Sequence, residues 1–519
     1  MTAKAPATNM ANRVGNWRLP LLLISSVWHF GSMAYADDWK ISPSLLTSES
    51  YNDNVLLQAA GPGTSAYITE ITPRLIMLSD GPSVKLNLDY AVQRLFYDGD
   101  VHAERTNQML AATSSTTLIS NLFYVDGSAN INQQNSTPFG ATTSNNLNLS
   151  DNRLDLHTYS ISPYLRTSFE AAASMELRFI RDFVNTSLGG LTDSKSNTVN
   201  ALLKSGPAFK TVDWNCLLTD QTIYYRDQSN IDMGSAIVNA SYHLTPEFAL
   251  TSSAGYERDN YLAINNQVPK GTTWSAGFSW TPSTRTNVAA SFGHHFYGDT
   301  YMVTANERAF ASIWSLGYNE GQTSSRSQFL VPVSSNTVDF LNTLWQSSIP
   351  NAAQRQQVVS AFIQNTGLPA TLTTPVNTIT DQVFLQKTLE ASVAITGARN
   401  TVLLSIFNVQ RNAQSVSLAG ISTDNLSMLN DTKQTGANIV WNSALSGRSN
   451  LTFMDSYTRS VSDSTGLSYN NNIVTASLNH QLQQKLRLTL QYQRIKNDTN
   501  FITGNFIENL TSILLNFSL

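Results

Sequence analysis

The stretch "KLRLTLQYQRIKND" at residues 485–498 decides the fold. Leu486, Leu488, Leu490 and Tyr492 share one parity, with Arg487, Thr489, Gln491 and Gln493 between them. Successive strand side chains point to opposite faces, so the segment reads as a strand with one apolar and one polar face. Arg494 then takes the apolar parity, two residues past an aromatic. The same ending recurs in Phe179 with Arg181, Tyr224 with Arg226, Tyr256 with Arg258, and Tyr457 with Arg459.

Period two dominates from Trp39 onward. Val84, Leu86, Leu88, Tyr90 and Val92 form one apolar set; Trp274, Ala276, Phe278 and Trp280 form another; Ile513, Leu515, Phe517 and Leu519 close the chain. The opposite parity is mostly Ser, Thr, Asn, Gln, Gly and Ala. Charged residues make up only 13% of the chain, about half the usual share for soluble domains. A soluble sheet would carry many charges on its outer parity, and this one carries few. Short joints with turn chemistry, "SDGPS" (79–83), "TPE" (245–247), "TPST" (281–284), "TGARN" (396–400) and "LSGRSN" (445–450), alternate with longer polar connections at 260–271, 412–433 and 460–468. Short turns on one side and long loops on the other are the layout of an outer-membrane barrel. The pattern predicts an all-β fold: a closed antiparallel transmembrane β-barrel of about 20–22 strands. Closure leaves no sheet edge exposed to lipid.

Beyond residue 36 no apolar run approaches the ~20 residues of a membrane-spanning helix. Residues 1–36 read as a signal peptide. Lys4, Arg13 and Arg18 precede the apolar "LPLLLISSVWHF", and "AYA" at 34–36 fits a cleavage site. The barrel is then 37–519, and removing those three cations takes the formal charge from −4 to −7. With no basic patch, nucleic acid is not an expected partner.

Residues 322–381 break the rhythm. Phe340, Leu341, Leu344 and Trp345 share one helical face, as do Val358, Val359, Phe362 and Ile363, so two short helices are predicted around Pro350. If "SQFLVPV" (327–333) is a strand running up, this insert is an outer loop; if not, it hangs in the periplasm. A packed loop is the plainer reading; a plug, lid or docking site is the sharper one.

Little catalytic chemistry is legible. Cys216, the single cysteine, shares its parity with Val212, Trp214 and Leu218, as a small wall residue does. His294 and His295 fall on opposite faces and so do not co-ligate a metal easily. His157, His243 and His480 are isolated. "ESYNDN" (49–54) carries oxygen ligands without calcium-loop spacing and reads as a polar turn. No catalytic, cofactor-binding or metal residue is assigned, and a non-enzymatic role is expected, with a lumenal or surface enzyme acting on lipid or glycan as a lesser alternative. The polar parity is expected to line the lumen through Lys85, Asn87, Asp89, Arg178, Arg487 and Gln491. Such a lining suits water and neutral sugars, and it equally suits a lumen closed by its own polar contacts.

The segments "ISPSL" (41–45), "YNDN" (51–54), "ITPRL" (71–75) and "LDYAVQRLFY" (88–97) resemble the outer-membrane β-barrel proteins associated with PEP-CTERM/exosortase systems, within the broader β-barrel porin class. The resemblance implies an outer-membrane location in a Gram-negative bacterium and a link to exopolysaccharide production. It transfers no catalytic residue. The last strand resembles the signal read by the barrel-assembly machinery: Phe517 holds an aromatic position, Leu519 replaces the usual terminal aromatic, and Leu514 stands where glycine is common. The expected role is a channel or structural component of exopolysaccharide or cell-envelope export, with a general diffusion porin as the alternative. Arg181, Arg226, Arg258, Arg459 and Arg494 are expected to face outward at headgroup height and contact lipopolysaccharide; pairing with neighbouring Asp residues is the other reading.

Overall fold

In the computed structural model the described residues are 39–518, apart from 60–62, 188–192, 226–229, 265–267, 331–341, 343–354, 356–358, 360–374, 377–379, 381, 417–430 and 501–503. The predicted signal peptide and Leu519 lie outside them.

Among the described residues, 22 strands close into one antiparallel sheet. The first seven are β1 (Trp39–Asn52), β2 (Ala66–Asp80), β3 (Val84–Gly99), β4 (Ala103–Ile119), β5 (Phe123–Asn135), β6 (Arg153–Phe169) and β7 (Ala173–Thr186). Next come β8 (Ser194–Ser205), β9 (Val212–Tyr225), β10 (Ile231–His243), β11 (Phe248–Asp259), β12 (Lys270–Ser283), β13 (Thr286–His295) and β14 (Gly298–Arg308). The remainder are β15 (Ser312–Ser324), β16 (Val383–Thr396), β17 (Asn400–Ala413), β18 (Asp431–Ser446), β19 (Ser449–Ser462), β20 (Ser468–Gln483), β21 (Leu486–Thr499) and β22 (Phe506–Ser518). Each pairs with its sequence neighbours. The ring closes where Ser44–Asn52 of β1 meets Leu510–Ser518 of β22.

The period-two pattern sets which face looks out. Along β21, Leu490, Tyr492 and Arg494 are exposed while Gln493, Ile495 and Asn497 are buried. Exposed aromatics mark both ends of the apolar outer face: Tyr51, Tyr67, Tyr256, Tyr301, Tyr457 and Tyr492 on one rim, Trp39, Phe169, Trp280, Trp314 and Trp441 on the other. An apolar band between aromatic girdles is the outer surface of a membrane-spanning barrel.

The connections after even-numbered strands are short, from the pairs 284–285, 447–448 and 484–485 to the six residues 206–211. Those after odd-numbered strands include 53–65, 136–152, 260–269, 325–382 and 414–430. Short turns face the periplasm, so odd-numbered strands run outward. This corrects the expectation for the insert. Residues 325–330 of the "SQFLVPV" region form a helix, α1 (Ser325–Leu330), not a strand. The insert is nevertheless on the outer side, because the outward-running strand that delivers it is β15. The faces expected for its two later helices lie largely outside the described residues.

The wall is not uniform. The β13–β14 hairpin is short, and β14 pairs with β15 only from Met302 to Arg308. Above Asn319, β15 pairs with β16 alone. Near the same wall the close approach of β17 to β18 needs a glycine: a Cβ on Gly436 would sit 2.3 Å from the Phe407 ring, which lies over that position.

Candidate functional site

The outer half of the lumen is filled by the chain's own loops. The 136–152 loop carries Leu147 inward, where it joins Val55, Ala66, Ile68, Leu95, Tyr97 and Leu510 in one buried cluster. Ile68, Leu95 and Leu510 stand on the lumen parity of β2, β3 and β22, where an aqueous pore would call for polar side chains. The backbone joins in, with Leu149 N–H donating to the Val55 carbonyl at 2.9 Å.

Around this apolar contact the polar groups are matched in pairs. Asn52 Nδ2 donates to Asn148 Oδ1 at 2.8 Å and to Glu508 Oε1 at 2.7 Å. Asn148 Nδ2 donates to Glu508 Oε2 at 3.3 Å. Gln493 donates to Ser144 Oγ at 3.0 Å and accepts from Asn145 at 2.6 Å. Asn471 donates to Thr142 Oγ1 at 2.8 Å. Asn148 and Glu508 are fully buried, and such groups are tolerated only with partners. "ESYNDN" belongs to the same lock: Asn54 is bonded to Gln58 through both its amide atoms, and Asp53 accepts from Asn509 N–H and Nδ2 at 2.7 Å each. It is a polar turn that staples β1 to β22.

The insert fills a second sector. Arg326 pairs with Asp182 of β7, and their side chains are 3% and 6% exposed. Phe329 packs with Leu154, Leu156 and Val184. Gln328 Nε2 donates to Gln386 Oε1 at 2.7 Å. Farther along, Gln434 holds both backbone groups of Val376, at 2.9 and 2.8 Å. The chain thus leaves β15, touches the wall at β6–β7, and is held at β18 before it enters β16. A third contact joins two outer loops, as Ile264 N–H donates to the Gln414 carbonyl at 3.0 Å and Val416 N–H to the Leu262 carbonyl at 2.9 Å. Beneath it Tyr261 is buried, which raises its phenol pKa and keeps it neutral.

The periplasmic half differs by sector: along β17–β19 Leu403, Val440 and Met454 are buried on the lumen parity, whereas along β3 and β21 the lumen is open. Lys85, Asn87 and Arg487 are exposed on the lumen parity, and Gln491 is half-buried. Asp89 is paired with Arg74. Arg178 meets Asp126 and Glu176 at 2.8 Å each and covers the Tyr164 ring at 3.8 Å. All six residues read as lumen-lining stand on the inward parity of their strands. The reading missed the 136–152 loop.

No arrangement for nucleophilic chemistry is assembled among the described residues. His295 faces Glu257 and Thr273 at 3.0 Å and stacks on Tyr297. His294 points to the other face, toward Asp299 at 2.7 Å. His480 meets Ser449 at 2.8 Å on the outward parity, with no carboxylate beside it among the described residues. Nor do three His, Cys, Asp or Glu side chains gather at a metal-binding distance among the described residues.

Arg181, Arg258, Arg459 and Arg494 take the outward parity near the outer rim, and Arg226 lies outside the described residues. None of the four has a carboxylate partner among the described residues. Arg181 instead donates to Asn197 and lies over Phe183. Phe517 is exposed on the outer face, 41% accessible.

No family model matches the sequence, and no curated protein matches it. Among solved structures, the FrpB iron transporter from Neisseria meningitidis (F5-1 variant) aligns over 93% of this chain and 83% of its own, with TM-score 0.50 and 8% identity. The siderophore receptor PirA from Pseudomonas aeruginosa aligns over 92% and 80%, with TM-score 0.44 and 10% identity. Acinetobacter baumannii OccAB2 aligns over 92% and 98%, with TM-score 0.34 and 10% identity. The fold is an outer-membrane β-barrel. At these identities the likeness is one of fold alone.

Proposed function

We propose that this chain is an outer-membrane channel of a Gram-negative bacterium, closed at rest by its own loops and serving exopolysaccharide or cell-envelope export. The observation that carries the reading is the outer half of the lumen, locked by buried amide and carboxyl contacts, above a periplasmic half that is polar and open along β3 and β21 and covered along β17–β19. A general diffusion porin keeps a standing aqueous path, so the filled outer half favours a gated channel over that alternative. The polysaccharide rests on the resemblance of the N-terminal segments, and the amide-rich lining is compatible with neutral sugars. Partners in this reading are lipopolysaccharide, the barrel-assembly machinery that inserts the chain through Phe517 and Leu519, and the components that deliver polysaccharide from the periplasm. Deleting the gene tests it. Secreted polysaccharide should fall while periplasmic polysaccharide accumulates; unchanged secretion would overturn the export role.

The outward arginines fit the same location. With aromatic neighbours at the outer rim and no carboxylate partner among the described residues, their guanidiniums are placed to bind lipopolysaccharide phosphates. Changing Arg181, Arg258, Arg459 and Arg494 together to Gln should lower co-purifying lipopolysaccharide on the order of tenfold. Unchanged lipopolysaccharide content in the folded variant would sink the assignment.

A further inference from the structure

The lipid-facing wall carries a concavity. Across β13–β17 a groove of about 580 Å³ is cut into the outer face, within the size range of small-molecule sites. Ala305 and Ala391 are its two low points, separated by Leu316, with Trp314, Leu404 and Ile406 rising beside them. Trp314 and Ile406 are about half exposed, 52% and 54%. The groove begins near the periplasmic turns at Thr286 and Glu307 and reaches Ile406, six residues into β17. At about 3.3 Å per residue that is a rise of roughly 20 Å along the strand, less after tilt. It therefore spans the inner-leaflet half of a hydrocarbon core about 30 Å thick. It crosses the periplasmic end of the β14–β15 seam, the shortest pairing among the described residues.

The charges at its periplasmic end are unspent. Glu307 is exposed and has no cation partner among the described residues. Arg285, in the turn before β13, and Arg399, in the turn before β17, are exposed and have no carboxylate partner among them. Glu307 pairs with Thr286, which puts its carboxylate beside Arg285, and a carboxylate next to a guanidinium at headgroup depth complements a head that carries both an ammonium and a phosphate.

We propose that this groove binds one amine-headed zwitterionic phospholipid of the inner leaflet. Its two acyl chains lie over Ala305 and Ala391, on either side of Leu316, the ammonium meets Glu307, and the phosphate meets Arg285. The site is independent of what the lumen carries.

The test uses the full chain in detergent, titrated with phosphatidylethanolamine or phosphatidylglycerol and read by native mass spectrometry. One saturable phosphatidylethanolamine is expected, bound at least tenfold more weakly after Ala305→Leu with Ala391→Leu, which fills the groove from the lipid side. Glu307→Gln should remove the preference for the amine head while leaving acyl binding. Heat-modifiable gel mobility reports that each barrel is folded, and Glu307→Gln carries the test if the filled variant misfolds. Unsaturable adducts that are identical in wild type and variants would overturn the site, and equal binding of the two lipids by wild type would overturn the headgroup assignment.

Discussion

Replacing residues 137–151 with a short Gly-Ser linker should raise single-channel conductance on the order of tenfold, because barrel width does not limit this pore. Barrels of about 16–18 strands already enclose an aqueous channel, and diameter grows with strand number. A 22-strand wall is wide enough to conduct unless something occupies it. Here Leu147 and Asn148 do so on one side, held by Ile68, Leu95, Leu510, Asn52 and Glu508. The replacement removes the apolar knob and its amide lock together, so water replaces protein over that sector. The wall should survive, since its ladder hydrogen bonds run between strands and not through the loop. Planar-bilayer recordings on protein with unchanged heat-modifiable mobility measure the result. Conductance equal to that of the parent would mean that this loop does not close the lumen.

Arg326→Met should release the insert from the wall. Breaking a buried pair by removing one partner costs about 3–5 kcal/mol, because the remaining charge is left desolvated. Asp182 would be that charge, buried on the lumen side of β7 with Ser196 as its other side-chain donor, at 2.9 Å. A loss of that size shifts a docking equilibrium by roughly two to three powers of ten, which the apolar contacts of Phe329 are left to oppose. The effect is local: the insert becomes open to protease from the outer side while barrel melting stays unchanged. Adding Asp182→Asn should recover much of the protection, since it removes the orphaned charge, and the double-mutant cycle isolates the pair. Protease resistance identical to the parent in Arg326→Met would show that the pair does not hold the insert.

How much of this was legible varies by feature. Strand and hairpin positions were, because lipid on one side and polar groups on the other impose period two directly on residues such as Leu486 to Gln493. The outward parity of Arg494 followed from the same rule. The filled lumen was written less openly. Ile495, one residue past Arg494, is fully buried on the lumen parity, in a cluster with Leu57, Ile473 and Phe506. Ile68, Leu95, Val184 and Leu510 repeat that change of parity at the same end of other strands. An apolar residue on the lumen parity near the outer rim is the signal that a loop comes inside. It was available in the sequence, but it does not say which loop.

The sequence by itself thus determined a closed barrel of about 20–22 strands, and the positions of several of its short turns and alternating stretches. These depend on local alternation and turn chemistry, both of which act over a few residues. Only the tertiary structure decided what fills the lumen. Asn148 meets Glu508 across 360 positions, and Arg326 meets Asp182 across 144. Contacts at such separations are chosen by the curvature of the closed wall and by buried polar groups that must find partners wherever the chain brings them. In residues 485–498, the strand is read from the alternation through Tyr492; the plug is read from Ile495, and only once its partners are in place.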